Sequence, residues 1–360
     1  MSEPLPNIRA LKVRCVEAPL PRPLRTASGE IPAAPLVLID LETDTGVIGR
    51  AYLFAYTRAV LVPIARFLES LAEALEGQSV SPVERARDFE ARFRLLGRQG
   101  LVGMALAGLD MALWDALGRA RNLPVVSLLG GEPRACPAYD SYGIVDPVAD
   151  RRMLETSLEQ GFRAIKIKIG DGDLRRDVET VAAVREILGP ETALMVDYNQ
   201  SLDVAETIRR IEALANYDLA WVEEPVPAED FEGHARVRAA SPVPIQTGEN
   251  WWFPRDMAKA LAAGACDYAM PDLMKIGGVT GWLGAMGLGE AASIPVSSHA
   301  FDEASAHVLP VTPTAHWLEY LGIAKAILAE PLAVEDGTVT ARGPGLGMNW
   351  DEDAVARYLL

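Results

Sequence analysis

Apolar and polar positions change their period once along this chain, and the change divides it. From about residue 137 onward, short apolar runs alternate with longer segments of helical spacing. The runs fall near 137–142, 164–169, 193–198, 219–224, 244–248, 268–272, 295–299 and 317–321. Between them, 173–188 places Leu174, Val178, Val181, Val184 and Leu188 on one helical face. The segment 203–214 does the same with Val204, Ile208, Ile211 and Leu214. Strand, helix and strand in regular succession make βα units and hence a parallel sheet. Eight such strands predict a closed α/β barrel, in which functional side chains gather at the C-terminal ends of the strands.

Residues 1–128 lack this rhythm. They read as strands at 8–16, 36–42 and 47–54, followed by helical patterns at 58–76, 82–96 and 101–120. That is an α+β domain ahead of a barrel spanning 129–328. After 328 the pattern turns to short strands and Gly/Pro turns, so 329–360 is expected to return to the first domain.

The ends of the apolar runs carry charge. In Ala-Ile-Lys-Ile-Lys-Ile-Gly (164–170) the isoleucines share one face of a strand, and Lys166 and Lys168 share the other. Two cations on a buried strand face are costly unless anions meet them. Asp197, Glu223 and Glu249 close three successive runs at equal intervals, and Asp272, His299 and Glu319 close the next three. Three carboxylates converging at one mouth cannot all stay ionised without a cation. All-oxygen ligands select a hard one, so Mg²⁺ is expected, with Mn²⁺ as a substitute. Lys168 and His299 stand on the second and seventh strands and could flank a ligand bound there. Neighbouring cations would lower Lys168 toward neutral pH, and Asp272 is placed to orient His299. Two bases on opposite faces of a metal-bound carboxylate suggest removal of a proton from the adjacent carbon. His234, His307 and His316 lack such a setting and read as structural.

Acidic residues number 50 against 34 basic, a net charge of −16, which disfavours nucleic acid and anionic membrane as partners. No basic-then-apolar leader is evident at the start. The apolar stretch 101–118 is interrupted by Asp110 and Asp115, unlike a membrane span. Cys15, Cys136 and Cys266 are few, odd in number and far apart, as expected of reduced thiols in a cytoplasmic protein.

The chain resembles the enolase superfamily, and within it the mandelate racemase subgroup. The residues that carry the resemblance are Ile-Lys-Ile-Lys-Ile-Gly (165–170), Met-Val-Asp-Tyr-Asn-Gln-Ser-Leu-Asp (195–203), Glu-Glu-Pro (223–225), Gly-Glu-Asn-Trp (248–251), residues 270–282, Ser-Ser-His (297–299) and Thr-Pro-Thr-Ala-His-Trp-Leu-Glu (312–319). Residues 34–41 and 52–57 extend it into the first domain. The resemblance implies an N-terminal α+β capping domain over a modified (β/α)7β barrel. It implies Mg²⁺ on Asp197, Glu223 and Glu249, and Lys168 as base for one enantiomer. His299, paired with Asp272, would serve the other. Lys or His bases combined with Mg²⁺ are the known pattern of that superfamily. Lys166 would meet the substrate carboxylate, and a protonated Glu319 would act as the acid on the enediolate. Ser141 and Asn199 match positions beside metal and substrate, and Leu24, Ile31, Phe54, Tyr56 and Leu321 match an aryl pocket. The implied activity is racemisation of an α-hydroxy carboxylate, mandelate or a related aryl 2-hydroxy acid, by a homo-oligomer, octameric in many relatives. Dehydration of an acid sugar is the alternative within the subgroup. Muconate-cycloisomerase-like and dipeptide-epimerase-like members carry a lysine where Asp272 stands, which argues against them. Lys275, shared by both groups, reads as structural or as a support behind the residues that contact metal and substrate. Arg25, Ser28, Tyr142 and Ala300 depart from the pattern, and the bulk removed at Ser28 and Ala300 predicts a roomier pocket.

Overall fold

A computed structural model describes residues 4–26 and 29–360; Ser28 lies outside the described residues. The chain opens with an antiparallel sheet of order β1-β2-β3, from β1 (Ile8–Thr26), β2 (Gly29–Thr43) and β3 (Ile48–Phe54). Leu36, Leu38 and Leu53 are fully buried, and the helix Leu101–Arg121 packs across the sheet. Contact is close enough that a Cβ on Gly49 would lie 2.2 Å from the Ala112 carbonyl oxygen. By length and composition that helix could cross a membrane, but here most of it is buried inside the fold. The helix expected over 58–76 is broken. A 3-10 turn at Arg58–Val60 precedes Leu61–Glu69, and Ala72–Leu75 follows as a separate short turn.

Eight parallel strands then close a barrel: β4 (Cys136–Ile144), β5 (Ala164–Lys168), β6 (Ala193–Asp197), β7 (Leu219–Glu223), β8 (Ile245–Thr247), β9 (Tyr268–Ala269), β10 (Val296–Ser298) and β11 (Ala315–Tyr320). β11 pairs with β4 to complete the ring. Each of the eight apolar runs is a strand of this barrel. Isoleucines 165 and 167 face the surrounding helices, while Tyr139, Met195, Trp221 and Met270 fill the interior below the lysines. The helices Leu174–Leu188 and Val204–Leu214 begin at Asp173 and Asp203, whose side chains accept from the third residue on.

The tail after the barrel adds β12 (Thr338–Val339), antiparallel to β4, and then lies on the first domain. Trp350 Nε1 donates to Asp40 at 2.8 Å, and the Leu360 amide donates to the Cys15 carbonyl at 3.0 Å. The first domain thereby covers the barrel mouth, with the β1–β2 arms reaching over it.

Candidate active site

Strand register assembles the site. Lys168, Asp197 and Glu223 are direct partners across β5, β6 and β7, so their side chains leave the barrel at one level. Glu249 stands two residues beyond β8. The ligand oxygens of Asp197, Glu223 and Glu249 lie within 4.8 Å of one another, and all three residues are buried. Burial pushes Glu223 up to about 7 despite Lys166, and the neighbouring carboxylates add to the rise. Glu249 Oε2 sits 3.0 Å from His299 Nε2, within ion-pair reach but off the hydrogen-bond line, so this buried oxygen has no hydrogen-bond donor. Crowded, buried, all-oxygen and incompletely satisfied, the cluster fits a hard divalent cation.

The two lysines have distinct partners. Lys166, fully buried, donates to Glu223 at 2.6 Å and pairs with Glu319 at 2.7 Å. Lys168 pairs with Asp197. Asn199 supports the same carboxylate, its amide donating to Oδ1 at 2.7 Å and its Nδ2 to Oδ2 at 3.0 Å. Burial works to lower Lys168, and Lys166 adds to that, yet the carboxylates of Asp197, Glu249 and Glu223 together outweigh both and the pKa is raised. The expected depression by neighbouring cations is thus not met among the protein's own groups, because its nearest neighbour is an anion.

Across the mouth, His299 Nδ1 faces Asp272 Oδ2 at 2.6 Å. Asp272 Oδ1 accepts from the Lys275 amide at 3.0 Å, capping the short helix Leu273–Ile276. That cap fixes the carboxylate, and the carboxylate fixes the ring. Burial opposes charge on His299, but Glu249, Glu319 and Asp272 prevail and raise its pKa well above the ordinary value. Glu319 accepts from Ser141 Oγ at 2.7 Å and from the Ala300 amide at 3.0 Å. Burial raises it, but Lys166 and His299 overcome this and hold it down at about 2. The protein's own groups therefore keep Glu319 as a carboxylate, contrary to the protonated acid expected, because two cations contact it.

These groups open into one cavity of about 560 Å³. Lys168, Asn199, Glu249, His299, Glu319 and Ser141 line its floor. Leu24, Ile31, Phe54, Tyr56 and Leu321 line the part beneath the cap, so all five expected pocket residues reach it. Two of the departures from the family pattern lie off the cavity, and with the first goes the extra room expected of Ala300. Ala300 is buried and does not line the cavity; its amide holds Glu319 instead. Tyr142 points away, bonding the Met153 carbonyl at 2.9 Å and Ser157. Sequence reasoning missed Gln200, Asn250 and Lys275 on the cavity wall. Lys275 donates to Asn250 and lies 5.0 Å from the Tyr56 ring centroid. The Lys-Ile-Gly-Gly stretch that carries it was in view, but its direction depends on the turn after Asp272. A second cavity, of about 490 Å³, lies between the first-domain helices and Phe253–Pro254, away from the metal-ligand cluster. His234, His307 and His316 stand outside the site; burial lowers all three, the last two to about 4.

A capped barrel with an all-oxygen acidic triad and a Lys-x-Lys second strand defines a class, the enolase superfamily. The family described as mandelate racemase / muconate lactonizing enzyme, N-terminal domain matches residues 8–130, and the enolase C-terminal domain-like family matches 149–354. The chain belongs to the mandelate racemase / muconate lactonizing enzyme family of that superfamily, and it is an enzyme. It is similar to a Bradyrhizobium enolase crystallised with magnesium and mandelic acid, with 58% identity, a TM-score of 0.97 and complete coverage of both chains. It is 33% identical to a 3,6-anhydro-α-L-galactonate cycloisomerase of Streptomyces coelicolor, over 97% of this chain and 99% of that one. It is also 33% identical to an L-talarate/galactarate dehydratase of Salmonella typhimurium, over 72% of this chain and 66% of that one.

Proposed function

We propose that this enzyme is a Mg²⁺-dependent racemase of aryl α-hydroxy carboxylates that works by two-base proton transfer. One observation carries the reading: Lys168 and His299 open into a single cavity from well-separated strands, each with its own carboxylate partner. Mg²⁺ on Asp197, Glu223 and Glu249 would supply Lewis-acid stabilisation of the negative charge that develops on the substrate carboxylate. With the charge of Asp197 taken up by the cation it would hold, Lys168 would lose the anion that raises it while Lys166 still lowers it, and as the free amine it removes the α-proton from one face. His299, an imidazolium held in one orientation by Asp272, delivers a proton to the other face, and in the reverse direction the roles exchange. Lys166 and Glu319 sit together beneath the substrate carboxylate. A substrate anion arriving beside Glu319 adds a like charge, which raises its pKa and favours the donor form that the resulting enediolate needs.

The cap side of the cavity supports the aryl reading over the sugar-acid one. Leu24, Ile31, Phe54 and Leu321 offer no hydrogen bonds, so the hydroxyls of a sugar acid placed there would lose their partners. An aryl group loses nothing, and the relative bound to mandelic acid is similar over its whole length. The Tyr56 hydroxyl beside these apolar side chains, with Gln200, Asn250 and Lys275 also lining the cavity, favours the second reading, an acid-sugar lyase or cycloisomerase, in keeping with the more distant relatives. Proton NMR in D₂O with aryl and sugar α-hydroxy acids separates the two. Exchange of the α-proton of an aryl acid with inversion and no loss of water supports the racemase. A 2-keto-3-deoxy product from a sugar acid, with aryl acids inert, overturns it.

A further inference from the structure

β1 is long because it continues into an arm over the cavity, and that arm is fastened to the barrel. Side chains alternate along it: Pro19, Pro21 and Pro23 are exposed, while Leu20, Arg22 and Leu24 turn inward. The inward cation meets β4. Arg22 Nη1 donates to Asp140 Oδ2 at 3.0 Å, and Nη2 donates to Asp140 Oδ1 and, at 3.0 Å, to the Ser141 carbonyl. The guanidinium lies 3.8 Å from the centroid of the Tyr142 ring. Asp140 is buried and takes one further hydrogen bond, from Ser157. A second feature fastens the arm independently. A Cβ on Gly143 would lie 2.5 Å from both the amide nitrogen and the carbonyl oxygen of Arg25, so only glycine lets the arm rest on β4. Arg25 also reaches Asp150 at 3.6 Å.

The fastened arm carries a wall. Leu24, Phe54 and Leu321 line the substrate cavity on one side and a void of about 20 Å³ on the other, and Arg22 and Gly143 border that void. One layer of side chains therefore separates the cavity from the Arg22–Asp140 pair.

We propose that Arg22 is a positioning residue: by clamping the arm onto β4 it holds Leu24 as the back wall of the substrate cavity and so sets the size of group admitted. The proposal rests on the hydroxy-acid reading of that cavity. Its tests are hydrogen exchange of peptides covering 20–26, and kinetics with mandelate and the bulkier 2-naphthylglycolate. Arg22→Met/Asp140→Asn removes both charges together, so neither is left buried alone. In this variant exchange in 20–26 rises while the barrel strands keep theirs. KM for mandelate rises about tenfold with kcat nearly constant, the mark of a misplaced binding wall. The ratio of kcat/KM values shifts toward 2-naphthylglycolate. Arg22→Lys keeps the charge without the fork and falls between wild type and the double variant. Gly143→Ala pushes Arg25 off β4 and gives the same pattern with Arg22 intact. Unchanged exchange in 20–26 in the double variant overturns the proposal, as does a Gly143→Ala enzyme with wild-type size preference. So does a loss of kcat at constant KM, which would assign Arg22 to Glu319 through Ser141. If wild type turns over no hydroxy acid, the racemase reading fails while the exchange result still decides the clamp.

Discussion

Charge at the barrel mouth is balanced residue by residue, and single substitutions should unbalance it in distinct ways. Glu249 is both a metal ligand by position and an ion-pair partner of His299. Glu249→Gln should weaken Mg²⁺ binding, read by calorimetry, by more than the roughly 10–100-fold that loss of an outer-shell partner costs. Glu319→Gln keeps one oxygen to accept from the Ala300 amide and turns the Ser141 hydroxyl into an acceptor for the new side-chain amide, but removes the transferable proton. It should cut kcat about 10²–10⁴-fold with KM little changed, the size of a general acid's contribution. Unaltered kcat would remove Glu319 from the chemistry. Much at this scale was legible in the sequence. Lys166, Lys168, Asp197, Glu223, Glu249, Asp272, His299 and Glu319 all reach the mouth, because each stands at or near the C-terminal end of a barrel strand. What escaped depends on backbone direction. The Ala300 amide, at a residue with φ of 49°, aims at Glu319, a role that no side-chain identity announces. The ionised state of Glu319 also escaped, since it follows from contacts with Lys166 and His299 that only folding creates.

Elements were less legible than residues. The strand expected over 8–16 runs past prolines at 19, 21 and 23. It continues to Thr26 because β1 is an edge strand whose pairing with β2 is interrupted between Pro19–Ala33 and Leu24–Ile31, so Pro21 and Pro23 remove no ladder bond. β9 has two residues where five were expected, because Met-Pro-Asp turns at once into the cap of the next helix. One junction carries a pH prediction. Asp110, on the helix Leu101–Arg121, accepts from the Thr280 amide at 2.9 Å and from the Thr280 hydroxyl, capping the barrel helix Gly278–Ala292 from the other domain. Burial pushes this carboxyl up to about 7. A carboxyl raised in the folded state favours folding when protonated. Its contribution is fullest below the ordinary value near 4 and is lost progressively as pH rises to about 7. Asp110→Asn should therefore gain stability relative to wild type across that window, measured by urea unfolding at several pH values. A difference that is flat between pH 4 and 7 would show that Asp110 ionises normally.

At the scale of the molecule, the barrel supplies the reacting groups and the first domain supplies the wall that selects what reaches them. Metal removal tests the first half. EDTA should abolish turnover while leaving the fold intact by circular dichroism, and either Mg²⁺ or Mn²⁺ should restore it. Full activity in a verified metal-free sample would refute the role given to the acidic cluster. The division between bases is tested most directly with His299→Asn in D₂O. Racemisation should stop in both directions, because each turnover needs one group to take the proton and another to return it. Lys168, still in place, should exchange the α-hydrogen of one enantiomer without inverting it, by family resemblance the S form, while the other enantiomer stays inert. Undiminished racemisation, or equal exchange of both enantiomers, would contradict the two-base arrangement.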